Sequence, residues 1–221
     1  MDLSYLLLII VTLALGLGTQ AYIRSSYKKW DTVPISSGLT GAQAARRMLD
    51  SNGLGHVAIQ AVPGELTDHF DPRTNVVSLS QAVYNSRSVS ATAIACHECG
   101  HAVQHAKNYA PARLRGALVP AVNFASNIWI VALLGGIFLQ IIGLIWLAII
   151  LYASVILFQV VTLPVELNAS KRAIAYIEGG YLPATETAGA KTVLTAAALT
   201  YVAAALASLF QLVYLLGMAR D

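Results

Sequence analysis

The sequence predicts a mainly α-helical integral membrane protein, with four transmembrane helices and one small α+β domain on the cytoplasmic side. Three observations predict it. The apolar set makes up 57% of the 221 residues and charged residues only 11%, against roughly 25% charged in soluble domains. Long stretches carry no charge at all, and the basic residues concentrate in the pieces between them. This composition excludes an ordinary soluble globule and a disordered chain. Two cysteines three residues apart exclude a disulfide scaffold. A dispersed net charge of +3 speaks against a nucleic-acid partner.

Residues 1–23 are read as the first transmembrane helix. Leu3 to Ile23 carries no charge over 21 residues, enough to cross a hydrocarbon core of about 30 Å. A secretory signal peptide is the rival reading, but Arg24, Lys28 and Lys29 follow the apolar run instead of preceding it. Gly116 to Val165 holds 50 residues without Asp, Glu, Lys, Arg or His. One helix of that length would reach about 75 Å, so residues 116–165 are expected to form a hairpin of two spans. Its turn is expected between Gly135 and Gly143. Asn123, Ser126 and Asn127 fall on one helix face, which is expected to turn toward other helices and away from lipid. The Ala-rich run Thr192–Ala219 makes the fourth span, 192–219.

Four spans place residues 24–115 and 166–191 on the same side. Thirteen of the 14 Lys and Arg lie in those two pieces, and only Arg220 lies opposite. The positive-inside rule therefore puts both pieces in the cytoplasm and both termini outside a cell membrane.

Within 24–115, Thr40 is expected to cap a helix that ends at Asn52-Gly53. His56–Val62 reads as a strand. Glu65–Phe70 and Asn75–Leu79 read as a hairpin turning at Asp71-Pro72-Arg73-Thr74, with proline at the second turn position. From Ser88 to Asn108 the apolar spacing is helical.

That last helix contains His97-Glu98-Cys99-Gly100-His101, an HExxH motif. Histidines four residues apart project from one face, so both rings can reach one ion at about 2 Å. Glu98 sits to the side, where it can take a proton from a metal-bound water without being a ligand. The motif predicts a zincin-like metalloprotease domain with one Zn²⁺ per chain. Zinc needs a third protein ligand. His105 continues the spacing, but helix rise puts it about 12 Å from His97. Glu166 is the better candidate: the membrane hairpin carries the chain out and back to the same face. A Glu that merely reaches toward water at the membrane edge is the plainer reading of that residue.

The segments LTDHFDPRTNVVSLS (66–80), AIACHECGHAVQHA (93–106) and LPVELNASKRAIAYI (163–177) resemble the membrane-bound neutral zinc metallopeptidases typified by YugP. A more distant likeness extends to the HtpX and CAAX-processing membrane proteases. With the spans between the motifs, the likeness covers nearly the whole chain. It implies His97 and His101 as zinc ligands, Glu166 as the third ligand and Glu98 as the catalytic base. The HtpX-like pattern has an Asp four residues after the third ligand; here that position is Ser170.

Cys96 and Cys99 form a CxxC in mid-helix, which suits apolar packing better than redox chemistry. His56, His105 and Lys107 read as surface or cap residues. His69, Arg172 and Tyr176 are candidates for oxyanion or substrate contacts. Asn75, Val76, Val77, Ser78 and Leu79 are the candidate edge strand for an extended substrate. The expected function is a membrane-embedded zinc endopeptidase acting on peptides or proteins, membrane proteins among them, at the cytoplasmic surface of the bilayer. The alternatives are a non-enzymatic membrane protein with a structural zinc or adaptor role, and a thiol redox protein. Oligomeric state is not encoded in any pattern of this sequence.

Overall fold

A computed structural model describes residues 3–179 and 183–220. The chain ends Met1, Asp2 and Asp221, to which the expected external location of the termini refers, lie outside the described residues, as do positions 180–182 of the 166–191 segment. The described chain is mostly helical with one small sheet. In order it runs α1 (Leu3–Asp31), α2 (Gly41–Ser51), β1 (Ala58–Val62), β2 (His69–Asp71), β3 (Val76–Ser80), α3 (Gln81–Asn85), α4 (Val89–Ala106), α5 (Ala110–Leu139), α6 (Ile142–Glu178) and α7 (Ala184–Met218).

Four of these helices, α1, α5, α6 and α7, are long and apolar enough to cross a membrane. The turn between α5 and α6 falls at Gln140-Ile141, inside the expected window. All four helices run past the ends of their apolar stretches. α6 has 37 residues, about 55 Å, so it cannot lie wholly within a hydrocarbon core of about 30 Å. One expectation is overturned here. Asn123, Ser126 and Asn127 are exposed, and the Asn127 amide donates to the Asn123 carbonyl of its own helix at 2.8 Å. The Asn127 amide thus finds a partner within its own helix, and none of the three side chains is buried against a neighbouring helix.

The chain divides into two compact units. One takes the chain up to Gln20, Arg113–Pro164 and Thr200 onward. Its buried cluster joins Ala132 and Leu133 of α5, Ala148, Ile149, Tyr152 and Ile156 of α6, and Leu215 of α7. Trp129 and Tyr152 pack with ring centres 4.6 Å apart.

The other unit takes Ala21–Ala112 and Val165–Leu199. Thr40 caps α2 as expected: its hydroxyl accepts from the Gln43 N–H at 3.2 Å, and the Gln43 side chain accepts from the Thr40 N–H at 3.0 Å. This reciprocal box satisfies two donors that the helix itself cannot. Gly53, at φ +72°, ends the helix where a side chain would be strained. β2 and β3 form the expected antiparallel hairpin, pairing Asp71 with Val76 and His69 with Ser78, but its first arm is only His69–Asp71: residues 65–68, expected to belong to it, are not strand. Asp71 holds the turn by accepting from the Arg73 N–H and the Thr74 hydroxyl. Asn75 takes φ +54°, a left-handed conformation that Asn tolerates better than most residues.

The sheet order corrects the substrate-edge expectation. β1 pairs with β3 in parallel, Ala58 to Val76 through Val62 to Ser80, so the order is β1-β3-β2. Asn75, Val76, Val77, Ser78 and Leu79 therefore form or flank the central strand, whose backbone groups are taken on both sides. That strand is the most buried of the three, with Val77 and Leu79 fully enclosed. It offers no free edge to a substrate.

The core of this unit brings Met48 and Leu49 of α2, Val77 and Leu79 of β3, and Ala93, Cys96 and Cys99 of α4 together with Ala173 and Ile177 of α6. α4 begins at Ser88, whose hydroxyl accepts from the Ala91 N–H at 3.1 Å. The same hydroxyl donates to Asp31 at 2.8 Å. α4 is thus a buried central helix, anchored at its first turn, with one flank against α6.

Candidate metal centre

His97 and His101 project from α4 one turn apart, and Glu166 projects from α6. The three bring their donor atoms together. His97 Nε2 lies 3.2 Å from His101 Nε2 and 3.3 Å from Glu166 Oε2, and His101 Nε2 lies 3.5 Å from Glu166 Oε2. Ligands about 2.0–2.1 Å from a tetrahedral ion stand about 3.3–3.4 Å from each other. The triangle therefore has the edge lengths of one face of such a tetrahedron. Two imidazoles and a carboxylate are also a donor set that suits zinc, with a fourth position left for water. On both size and chemistry, these residues fit a zinc ion.

The contact between α4 and α6 depends on Gly100. A Cβ built there would stand 2.6 Å from the Ala169 carbonyl oxygen and 3.0 Å from its Cα. The two backbones touch at this point, one position before His101 and three after Glu166. A bulkier residue at 100 would force the helices apart and the carboxylate away from the rings.

Each histidine is held at its other nitrogen. His97 Nδ1 lies 3.1 Å from the Ser170 hydroxyl, and His101 Nδ1 lies 3.1 Å from Gln104 Oε1. Such partners on the far nitrogen fix ring orientation in metal sites. Position 170, where the HtpX-like pattern has an Asp, is Ser in this chain and supplies a hydroxyl contact to His97 in its place. The electrostatics favour positive charge at the cluster. Burial alone drives the His101 ring toward its neutral form. The Glu166 carboxylate, with Glu98 beyond it, outweighs that burial, and the His101 pKa is raised. The same field favours a cation.

Glu98 is buried, 9% exposed, and its carboxylate is not among the converging donors. It raises the His101 pKa through its charge and so lies within electrostatic reach of the cluster. His105 sits exposed in the last turn of α4, its ring 5.9 Å from Phe70 of β2, apart from the donor cluster. His69 is exposed on β2, with Nδ1 at 2.7 Å from the Thr67 carbonyl. Arg172 donates through Nε to Asn168 Oδ1 at 2.8 Å, and Tyr176 packs against the core. Cys96 and Cys99 are fully buried. Burial pushes the Cys96 thiol up to about 12 and the Cys99 thiol well above its ordinary range. Thiols held protonated in this way are poor nucleophiles and poor ligands.

Gln104 escaped the reading of the sequence, and Ser170 was read there only as a departure from the HtpX-like pattern, although spacing held a signal for each. Gln104 lies three residues after His101, and Ser170 four after Glu166, each on the helix face of the ligand it follows.

The family described as "Putative neutral zinc metallopeptidase" matches residues 5–220 of the chain. The chain is 48% identical over 209 residues to "Putative membrane protease YugP" of Bacillus subtilis (strain 168), covering 94% of this chain and 93% of that protein. No solved structure matches.

Proposed function

Because the chain belongs to this family of neutral zinc metallopeptidases, we propose that it is a membrane-embedded zinc endopeptidase that hydrolyses peptide bonds at the cytoplasmic membrane surface. The observation that carries the reading is the triangle of His97, His101 and Glu166 donors, with an acid that is not a ligand beside it. In this reading one zinc ion per chain is held by His97 Nε2, His101 Nε2 and a Glu166 oxygen. The ion, when bound, supplies Lewis acidity and lowers the pKa of a coordinated water toward about 7. Glu98 takes the proton of the attacking water and passes it to the departing amine. His69, Arg172 and Tyr176 are carried as candidates for substrate contact.

Full-length protein purified in detergent is expected to cleave a peptide blocked at both ends. A chelator should stop cleavage as it removes the metal, and added zinc should restore both. Stoichiometric zinc with every blocked peptide left intact would favour a structural zinc site or adaptor role.

The site's side of the membrane rests on the charge asymmetry, since Arg220 alone of the 14 basic residues lies opposite. In a cysteine-free background, a Cys placed at Asn75 should react with an impermeant reagent only after lysis. A Cys placed at Arg220 should react on whole cells. The opposite pattern would move the active site outside.

A further inference from the structure

We propose that Gln104 is a positioning residue of the metal site: it holds His101 as the Nδ1–H tautomer and ties its helix to the segment of α6 that carries Glu166. The inference rests on the zinc reading above and extends it to a residue outside the HExxH motif.

The argument follows from which atoms can donate. Gln104 is 1% exposed and in the last turns of α4. Its amide makes three contacts. The Val165 carbonyl lies 2.7 Å from Nε2, Asn168 Oδ1 lies 3.1 Å from Nε2, and His101 Nδ1 lies 3.1 Å from Oε1. A backbone carbonyl only accepts, so the amide nitrogen must face Val165. The Asn168 contact gives the same answer independently. Arg172 Nε, which only donates, lies 2.8 Å from the Asn168 amide and so fixes the oxygen on that side. The Gln104 atom facing that oxygen must again be the nitrogen. Both constraints leave Oε1 toward His101. An amide oxygen only accepts, so His101 Nδ1 must carry the hydrogen, and in the neutral ring, the form that binds a metal, the lone pair falls on Nε2. Nε2 is the atom in the donor triangle.

Val165 is the residue immediately before Glu166. The hydrogen bond to its carbonyl therefore fixes α6 next to the third ligand, while the other end of the same amide fixes the ring of the second. An apolar side chain of equal length would fill the space but do neither. A glutamate would accept from His101 Nδ1–H but, ionised, would not donate to Val165.

The test uses full-length protein in detergent, with Gln104→Met and Gln104→Glu beside wild type. Zinc affinity is read by chelator competition. The His101 tautomer is read from ring ¹⁵N shifts of metal-free, histidine-labelled protein above the histidine titration range. Gln104→Met is expected to weaken zinc binding 10–100-fold, the usual size for such partners, and to release His101 from the Nδ1–H form. Gln104→Glu is expected to keep that tautomer, with a smaller loss of affinity. Zinc affinity within twofold of wild type in folded Gln104→Met, or an unchanged His101 tautomer there, overturns the proposal. If Gln104→Met does not fold, an Nε2–H ring in Gln104→Glu overturns it instead. Neither readout uses catalysis. A wild-type protein that binds zinc and fails to cleave would sink the peptidase reading alone, and one that binds no zinc would still report on the tautomer.

Discussion

Glu98→Gln is expected to lower peptide hydrolysis by about 10²–10⁴-fold, the usual cost of losing one general base, while zinc stays bound near wild-type occupancy. The two halves come from separate observations. His97, His101 and Glu166 converge without Glu98, so removing its charge leaves the ligand set whole. Glu98 is nevertheless close enough to act on His101 electrostatically, and glutamine fills the same space without accepting a proton at neutral pH. The measurement pairs turnover on a blocked peptide with metal content of the same preparation. Loss of zinc in the variant would make Glu98 a ligand or a support of one. Retained turnover would remove its role as base.

Glu166→Ala is expected to lower zinc affinity and activity together, and His105→Ala to leave zinc binding nearly unchanged. Glu166 contributes one corner of the triangle, at 3.3 and 3.5 Å from the two ring nitrogens. Under the proposed zinc reading its loss removes one of the three donors, and the anionic one. His105 meets Phe70 in a tilted ring contact on the exposed side of the same helix. Helix rise keeps it about 12 Å from His97, too far to share an ion. Equilibrium dialysis against a zinc buffer separates the two. If His105→Ala strips the metal and Glu166→Ala does not, the donor triangle is not the metal site.

The parts of this site that were legible in the sequence are those written in local spacing. Two histidines one turn apart declare themselves, and so does Thr40 as a cap ahead of helical apolar spacing. Asp71-Pro72 marks a turn because both residues carry their geometry with them. Glu166 was legible for another reason. Fifty uncharged residues are too many for one span and read as a hairpin, so the sequence leads one to expect position 166 on the same membrane face as the motif. Other features depend on partners that sequence does not name. β1 and β3 pair in parallel across an intervening strand, so Asn75–Leu79 reads as a hairpin arm and lies at the centre. The short helix α3 has too few residues for a periodicity. Hydropathy marks where lipid begins and ends but not where a helix stops, so α6 continues unbroken through Glu166 to Glu178.

The backbone contact at Gly100 changes what the motif asks of a sequence. Written as a pattern, HExxH names three residues and leaves two open. In this chain neither is open. Position 100 admits no side chain, because a single methyl group already collides with the Ala169 backbone. Position 99 is enclosed, with the Cys99 thiol 3.5 Å from the Ala45 carbonyl of α2, and it accepts only something small. A random library across residues 97–101 would therefore recover far fewer active clones than three fixed letters imply. The two unnamed positions are where α4 meets its neighbours, α6 on one side and α2 on the other, and each neighbour sets the identity it can accept.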